Sequence, residues 1–296
     1  MKQCYARRKW SNCHKNMGLP HQSFAGDKVV VMAAPNGARR TREDHPAVPL
    51  TPDELAAEAA SLLAAGVSVL HLHVRDAEGR HSIDPGRYRD AIGAIRSEVG
   101  KELILQVTSE AVGRYTAAEQ MAMVEELQPE AVSLALRELC PDEASEAGAG
   151  QFFRNLRPGG VWPQYIVYSP DELVRFDRLR QAGLFGEERP FCLLVLGRYS
   201  KQLEGSLDEL AAMRSAVDTR AFPWAVCCFG RHENAAMLAA TRADGHVRIG
   251  FENNLVMADG TPASDNSALI EQYVSSARDL GRRPATAADI RETWHL

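Results

Sequence analysis

Residues 51–73 read TPDELAAEAASLLAAGVSVLHLH, and this stretch decides the fold because it contains one helix and the strand that follows it. The helix pattern opens with Thr51 as N-cap, a proline at the first helical position and Glu54 completing a capping box. Gly66 ends the helix. The next run, VSVLHLH (67–73), is apolar almost throughout, which is typical of a strand in a parallel sheet covered on both faces.

The same alternation of strand and helix continues along the chain from residue 27. The expected strands are 28–34, 67–73, 102–108, 130–136, 161–168, 191–197, 223–229 and 246–251. The expected helices are 51–66, 84–100, 116–127, 169–183, 206–217, 233–245 and 266–281. Eight such strands predict an α/β fold with a closed (β/α)8 TIM barrel, and an open doubly wound sheet is the alternative. No linker divides the chain, so residues 27–296 are expected to form one barrel domain.

Composition narrows the class of protein. The chain has 296 residues, 45% hydrophobic and 25% charged, with a net charge of −5 and no basic run, which argues against nucleic-acid binding. Its longest apolar runs have the length of strands, so no membrane span is expected. Six cysteines form no CxxC pair, which favours a reducing, cytoplasmic location. The adjacent Cys227 and Cys228 are expected to point to opposite faces of one strand.

Residues 1–26 differ from the rest because they contain no acidic residue and show no helix or strand period. They are expected to form an N-terminal extension that is flexible or contacts another subunit, with an organelle transit peptide as the alternative. Cys4, Cys13 and His14 have a spacing that fits no standard metal site.

Two histidines stand out in the second strand. His71 and His73 are two residues apart and therefore share one face, while Leu70 and Leu72 occupy the other. The histidine face is expected to line the barrel interior near the C-terminal ends of the strands, where active sites of such barrels lie. Neutral imidazoles are good zinc ligands, so the pair predicts a metal site. The alternative is a pair of hydrogen-bonded core histidines.

The eighth strand, in HVRIGFENN (246–254), supplies a third candidate ligand. Glu252 follows that strand, and strands eight and two flank strand one, so the glutamate can converge with the two histidines. Its alternative is a helix-capping or solvated loop acid. Arg248 lies within the strand and must be paired or face a polar cavity, unless it extends outward between helices.

Further polar residues follow other strands at the same rim and are expected to line a substrate pocket. They are Asn36 and Arg39 after strand one, Thr108, Ser109 and Glu110 after strand three, and Arg137 and Glu138 after strand four.

The segments AAPNGARRT, VLHLHVRDAEGR, LQVTSEAVG and GHVRIGFENN together resemble the β-keto acid cleavage enzymes, which include the 3-keto-5-aminohexanoate cleavage enzyme. The resemblance extends over most of residues 28–290. It implies a (β/α)8 barrel, typically tetrameric, with zinc held by His71, His73 and Glu252, and with Arg248 acting on the substrate. It also implies a reaction in which a 3-keto acid and acetyl-CoA give acetoacetate and a new CoA thioester.

Several acidic residues of that family are replaced in this chain. The usual GFEDN reads GFENN, so Asn253 stands where an aspartate is implicated in proton abstraction, and an amide is not a base. Arg39 and Ile166 also stand where glutamates are common. Glu110 and Glu138 are the candidate replacement bases.

The favoured hypothesis is zinc-dependent carbon–carbon cleavage of a 3-keto acid or related anionic carbonyl acid, with acetyl-CoA as co-substrate. Arg39, Arg137 or Arg248 would bind further negative charge on the substrate. One alternative is a zinc lyase, aldolase or hydrolase that does not use CoA. Another is a non-catalytic protein that binds zinc and an anionic ligand.

Overall fold

The computed structural model describes residues 26–296, so the predictions for residues 1–25 lie outside it. Eight parallel strands form a closed barrel in which each strand pairs with its neighbour along the chain and β8 pairs with β1. The barrel strands are β1 Val31–Ala33, β2 Val69–Leu72, β3 Ile104–Thr108, β4 Ala131–Ala135, β5 Trp162–Val167, β6 Phe191–Leu196, β7 Trp224–Cys228 and β8 His246–Ile249. The predicted TIM barrel is confirmed.

Helices follow the strands and cover the barrel, and the last one lies across its N-terminal end. They are α1 Pro52–Ala65, α2 Pro85–Val99, α3 Ala117–Leu127, α4 Leu136–Leu139, α5 Glu143–Leu156, α6 Pro170–Gln181, α7 Leu207–Ala216, α8 Glu233–Arg242, α9 Asn266–Asp279 and α10 Ala287–Trp294. α1 has the predicted ends: the Thr51 and Glu54 side chains form the capping box, and Gly66 is left-handed with φ 105°. Within residues 26–296, no helix combines the length and apolar character needed to cross a bilayer.

The structure differs from the sequence prediction at four places. The run 28–34 is divided, because Lys28–Val29 pairs with Arg283–Pro284 outside the barrel. β4 ends before Leu136, where the short α4 begins. α5 and α10 were not predicted: α5 contains two glycines, and α10 spans only eight residues. A small hairpin, Val74–Arg75 with His81–Ser82, follows β2.

Apolar side chains form one layer between barrel and helices and a second inside the barrel. Leu70 and Leu72 lie in the outer layer, so the predicted facing of β2 is confirmed. Cys227 lies in the inner layer and Cys228 in the outer one, as their adjacency predicts. At the N-terminal ends of the strands, α10 closes the barrel and its Trp294 ring lies 5.4 Å from that of Trp162.

An aromatic cluster anchors α6 to the outer face of the barrel. Phe176 is fully buried, and its ring centroid lies 5.1 Å from Phe185, 5.1 Å from Phe222 and 6.2 Å from Tyr165. Replacing it therefore removes contacts that the helix makes with three other segments.

We expect Phe176→Ala to lower the free energy of unfolding by about 3–5 kcal/mol, because it leaves a cavity in this cluster. Val174→Ala is the matched control on the same helix. Val174 is 49% exposed, so its change is expected to stay within about 0.5 kcal/mol. Urea unfolding followed by circular dichroism measures both, and equal losses would contradict the assigned role of the cluster.

Candidate metal centre and active-site cavity

Three predicted ligands converge at the C-terminal rim of the barrel. The Nε2 atoms of His71 and His73 lie 3.1 Å apart, and Oε2 of Glu252 lies 3.5 Å from the first and 3.6 Å from the second. One donor atom from each residue falls within 4.8 Å of the others, which makes the three a candidate metal-binding group. Both histidines are buried.

A chain of buried amides fixes the orientation of His71. Its Nδ1 lies 2.9 Å from Oε1 of Gln106, whose Nε2 donates to Oε1 of Gln164, and Nε2 of Gln164 in turn donates to the sulfur of Met32. Since both amide nitrogens are used as donors along this chain, Nδ1 of His71 carries the hydrogen and donates it to Gln106. The lone pair on Nε2 therefore points toward His73 and Glu252.

His81 orients His73 in the same way that Gln106 orients His71. Nε2 of His81 lies 3.0 Å from the carbonyl oxygen of Glu110, which only accepts, so this nitrogen carries the hydrogen. Burial lowers the pKa of His81 to about 3, so its Nδ1 is a bare acceptor. Nδ1 of His73 lies 3.4 Å from that acceptor and donates to it, which leaves the Nε2 lone pair of His73 free.

Arg248 orients the glutamate. Its Nη2 lies 3.2 Å from Oε1 of Glu252, so the other oxygen, Oε2, faces the two histidines. Burial alone would raise the pKa of Glu252, but Arg248 and then His71 hold it well below its usual range. Burial, followed by the charge of Arg248, lowers the pKa of His71 well below its usual value. The site thus holds a carboxylate and a neutral imidazole, the forms that bind metals.

The donor set fits a divalent ion. Oε2 of Glu252 is buried without a hydrogen-bond partner, although it lies beside two imidazole nitrogens. Ligand atoms around a tetrahedral zinc ion at about 2.1 Å are separated by roughly 3.4 Å. The observed separations of 3.1, 3.5 and 3.6 Å lie close to that value. Lone pairs held this close repel one another unless a cation lies between them.

The backbone around β1 brings the ligands together. Asn36 donates to the carbonyl oxygen of His73 at 2.9 Å and accepts from its N–H at 3.3 Å, so it holds the end of β2. The N–H of Glu252 donates to the carbonyl oxygen of Ala34 at 3.0 Å. Gly37 has φ 60°, and a Cβ there would lie 2.5 Å from Cγ of Glu252. Only glycine permits the glutamate to pack against this turn.

A cavity of about 140 Å³ opens beside the triad, with His71 and Glu252 in its wall. Three guanidinium–carboxylate pairs lie along it: Arg39 with Glu110 at 2.8 Å, Arg40 with Asp44 at 2.9 Å, and Arg248 with Glu252. The opposite wall is largely apolar and comes from β5, β6 and the loops after β5, β6 and β7. Its residues are Ile166, Tyr168, Val195, Arg198, Leu203 and Phe229.

The structure brings Arg39, Thr108 and Glu110 into this cavity together with Arg248. Thr108 is buried, and its Oγ1 accepts from the N–H of Glu110 at 3.1 Å. That bond, together with the ion pair to Arg39, positions the Glu110 carboxylate in the cavity wall.

Other predicted site residues point elsewhere within the described chain. Ser109 donates to the Gln120 side chain, and Glu138 accepts from the N–H of Ala111 at 2.9 Å. Arg137 pairs with Glu172, and its guanidinium lies 4.6 Å from the Tyr168 ring centroid and 4.3 Å from that of Tyr199. Asn253 is buried next to Glu252, and its side-chain amide has no partner.

Sequence reasoning missed Gln106, His81, Tyr168 and Arg198. A signal existed for Gln106, a polar residue inside the apolar run ILQVT. Tyr168 directly follows β5 and Arg198 follows β6 after one glycine, so both stand at strand ends, where active-site residues of such barrels lie.

The fold and the triad define a (β/α)8-barrel enzyme with a candidate metal centre at the catalytic rim. The sequence matches the beta-keto acid cleavage enzyme family over residues 28–296, and the chain belongs to that family.

Two relatives illustrate its range. The chain is 34% identical to the 3-keto-5-aminohexanoate cleavage enzyme of Fusobacterium nucleatum, over 91% of this chain and 98% of that protein. It is 26% identical to the 3-dehydrocarnitine:acetyl-CoA trimethylamine transferase of Rhizobium meliloti, over 91% of this chain and 97% of that one.

A solved structure supports the fold. The ternary complex of ObcA with a C4-CoA adduct and oxalate superposes with a TM-score of 0.67 at 17% identity, covering 85% of this chain and 68% of ObcA.

We expect His81→Ala to weaken zinc binding by about 10- to 100-fold, because His73 loses the acceptor that orients it. His232→Ala is the control, since His232 is exposed on the loop after β7 and caps α8 without a side-chain hydrogen bond. Competition with a chromogenic chelator measures the affinity. Equal affinity in the two variants would show that His81 does not support the metal centre.

Proposed function

We propose that this protein is a zinc-dependent enzyme that converts a 3-keto acid and acetyl-CoA into acetoacetate and a new CoA thioester. The single observation that carries the proposal is the convergence of the His71, His73 and Glu252 donor atoms beside a cavity. Family membership supports it, because relatives are named as keto acid cleavage enzymes and acetyl-CoA transferases.

The proposed reaction balances without an oxidant or reductant. C2 of the 3-keto acid loses a proton and forms a bond to the acetyl carbonyl carbon, releasing the CoA thiolate. The thiolate then adds to C3 of the original keto acid, and the bond between C2 and C3 breaks. C2 of the released fragment takes a proton back and leaves as the methylene carbon of acetoacetate, and the remaining acyl group leaves as the CoA thioester.

In this proposal His71, His73 and Glu252 hold the zinc ion. Bound zinc supplies Lewis acidity toward the oxygens of the keto acid. Arg248 lines the cavity and is paired with Glu252. Its position suits stabilisation of the negative charge that develops when C2 loses its proton and again when the C2–C3 bond breaks. Arg248 is 3% exposed, so solvent screens its charge little.

Glu110 is the carboxylate best placed to accept the C2 proton. Of the three carboxylates that line the cavity, Glu252 faces the metal ligands, and Asp44 accepts from both Arg40 and the N–H of Thr41. Glu110 has one ion pair, with a half-exposed Arg39. Glu138 instead supports the loop after β3 through Ala111, and burial raises its pKa.

Removing zinc with a chelator is expected to abolish acetoacetate formation, and adding zinc back is expected to restore it, because in this proposal zinc polarises the keto oxygen. His71→Ala is expected to prevent the restoration. A coupled assay for acetoacetate with a panel of 3-keto acids measures this. Each reaction is repeated without acetyl-CoA, and turnover that persists there would favour a CoA-independent lyase over the proposed transfer.

Glu110→Gln is expected to lower kcat by about 100-fold or more, since general base catalysis contributes that much. Glu126→Gln is the matched control, because Glu126 also pairs with an arginine but lies on the exposed face of α3. Its kcat is expected to stay unchanged. If Glu138→Gln abolishes turnover while Glu110→Gln retains it, the base has been assigned to the wrong glutamate.

A further inference from the structure

Among residues 26–296, one cation in the cavity wall, Arg198, has no carboxylate paired with it. Arg198 follows β6 on a tight turn at Gly197, where φ is 79° and a Cβ would lie 2.1 Å from the nitrogen of Gly205. The backbone there packs directly against the next segment, so it presents Arg198 from a fixed position. The side chain is half-buried and lines the same cavity as His71 and Glu252.

The other arginines of this cavity differ from Arg198. Arg39, Arg40 and Arg248 each have a carboxylate within 3.2 Å. Within residues 26–296, Arg198 has no hydrogen bond or ion pair. Its guanidinium instead lies 5.5 Å from the Tyr199 ring centroid and 5.6 Å from that of Phe229. Two aromatic contacts position the group while leaving its donors available.

The barrel places this arginine opposite the metal centre. In the strand order, β6 lies four steps from β2, which carries His71, so the two strands face each other across the eight-stranded barrel. The wall beside Arg198 is apolar and includes Ile166, Val195 and Phe229. A ligand that starts at the metal and crosses the cavity therefore passes aliphatic and aromatic surface before it meets a guanidinium.

We propose that Arg198 binds a carboxylate at the distal end of the substrate, so that the enzyme selects 3-oxo dicarboxylic acids over 3-keto acids with a neutral or cationic end. This inference rests on the proposed function. The keto acid end is held at the metal centre, a short methylene chain contacts the apolar wall, and the second carboxylate pairs with the free guanidinium. Arg198 is thus a specificity-determining residue and takes no part in bond making.

The test compares substrates of equal length, 3-oxoadipate with 3-oxohexanoate and 3-oxopimelate with 3-oxoheptanoate, in the zinc-loaded enzyme with acetyl-CoA. The wild-type kcat/KM is expected to be at least about 10-fold higher for the dicarboxylates. Arg198→Gln is expected to lower kcat/KM for the dicarboxylates by about 10- to 100-fold and to change the monocarboxylates by less than about 3-fold.

Arg214→Gln is the matched control, because Arg214 lies 5.9 Å from the centroid of the Trp224 ring on the outside of the barrel and is exposed. It is expected to keep the wild-type preference. A wild-type preference for monocarboxylates or for cationic keto acids would overturn the inference. So would an Arg198→Gln variant whose only defect is a higher KM for acetyl-CoA with every substrate, since the guanidinium would then bind the phosphates of CoA.

A binding measurement separates this inference from the proposed reaction. Titration calorimetry of adipate and hexanoate into the zinc-loaded protein requires no turnover. Adipate is expected to bind at least about 10-fold more tightly than hexanoate to the wild type and to lose that advantage in Arg198→Gln. Equal binding of the two acids to the wild type overturns the inference even if the enzyme is active. A preserved preference without turnover instead rejects the proposed reaction alone.

Discussion

The site depends on one electrostatic constraint, which is that three electron-pair donors converge with no hydrogen between them. Both imidazoles carry their hydrogen on Nδ1, held by Gln106 behind His71 and by His81 behind His73. Arg248 holds the outer oxygen of Glu252 in the same way. These partners oppose the mutual repulsion of the three donors, and a cation bound at their centre would remove that repulsion.

The barrel topology places the three candidate ligands at the ends of strands that are close neighbours. β8, β1 and β2 are neighbours, so a residue just beyond β8 meets side chains at the end of β2 by crossing a single strand. Gly250 makes the crossing possible, because its φ is 144° and a Cβ would lie 2.5 Å from the carbonyl oxygen of Ala34. The chain then turns over the end of β1, and Gly37 leaves the space that the glutamate side chain fills.

The sequence predicted side-chain directions correctly where they follow from the two-residue repeat of a strand or from a helix cap. Alternation along β2 determined that His71 and His73 face inward, and the cap at Thr51 determined where α1 begins. Side chains on the loops after strands were less predictable, because the strand end fixes their position but not their direction. Ser109 and Arg137 follow strands as expected, yet both turn toward helices or aromatic rings instead of the cavity.

The two sides of the cavity differ in the kinds of residue that form them. The candidate metal ligands and the charge pairs come from β8, β1, β2 and β3 and the loops that follow them, and buried side chains orient the three candidate ligands. The wall from β5 to β7 is largely apolar, and among the described residues its one arginine, Arg198, contacts aromatic rings and no carboxylate. Substitution on this second side changes the shape and charge of the cavity without disturbing the donors of the first. The residues at the rim of a (β/α)8 barrel come from several separate strand ends. Substitutions on one side of the cavity can therefore change the substrate while the reaction stays the same.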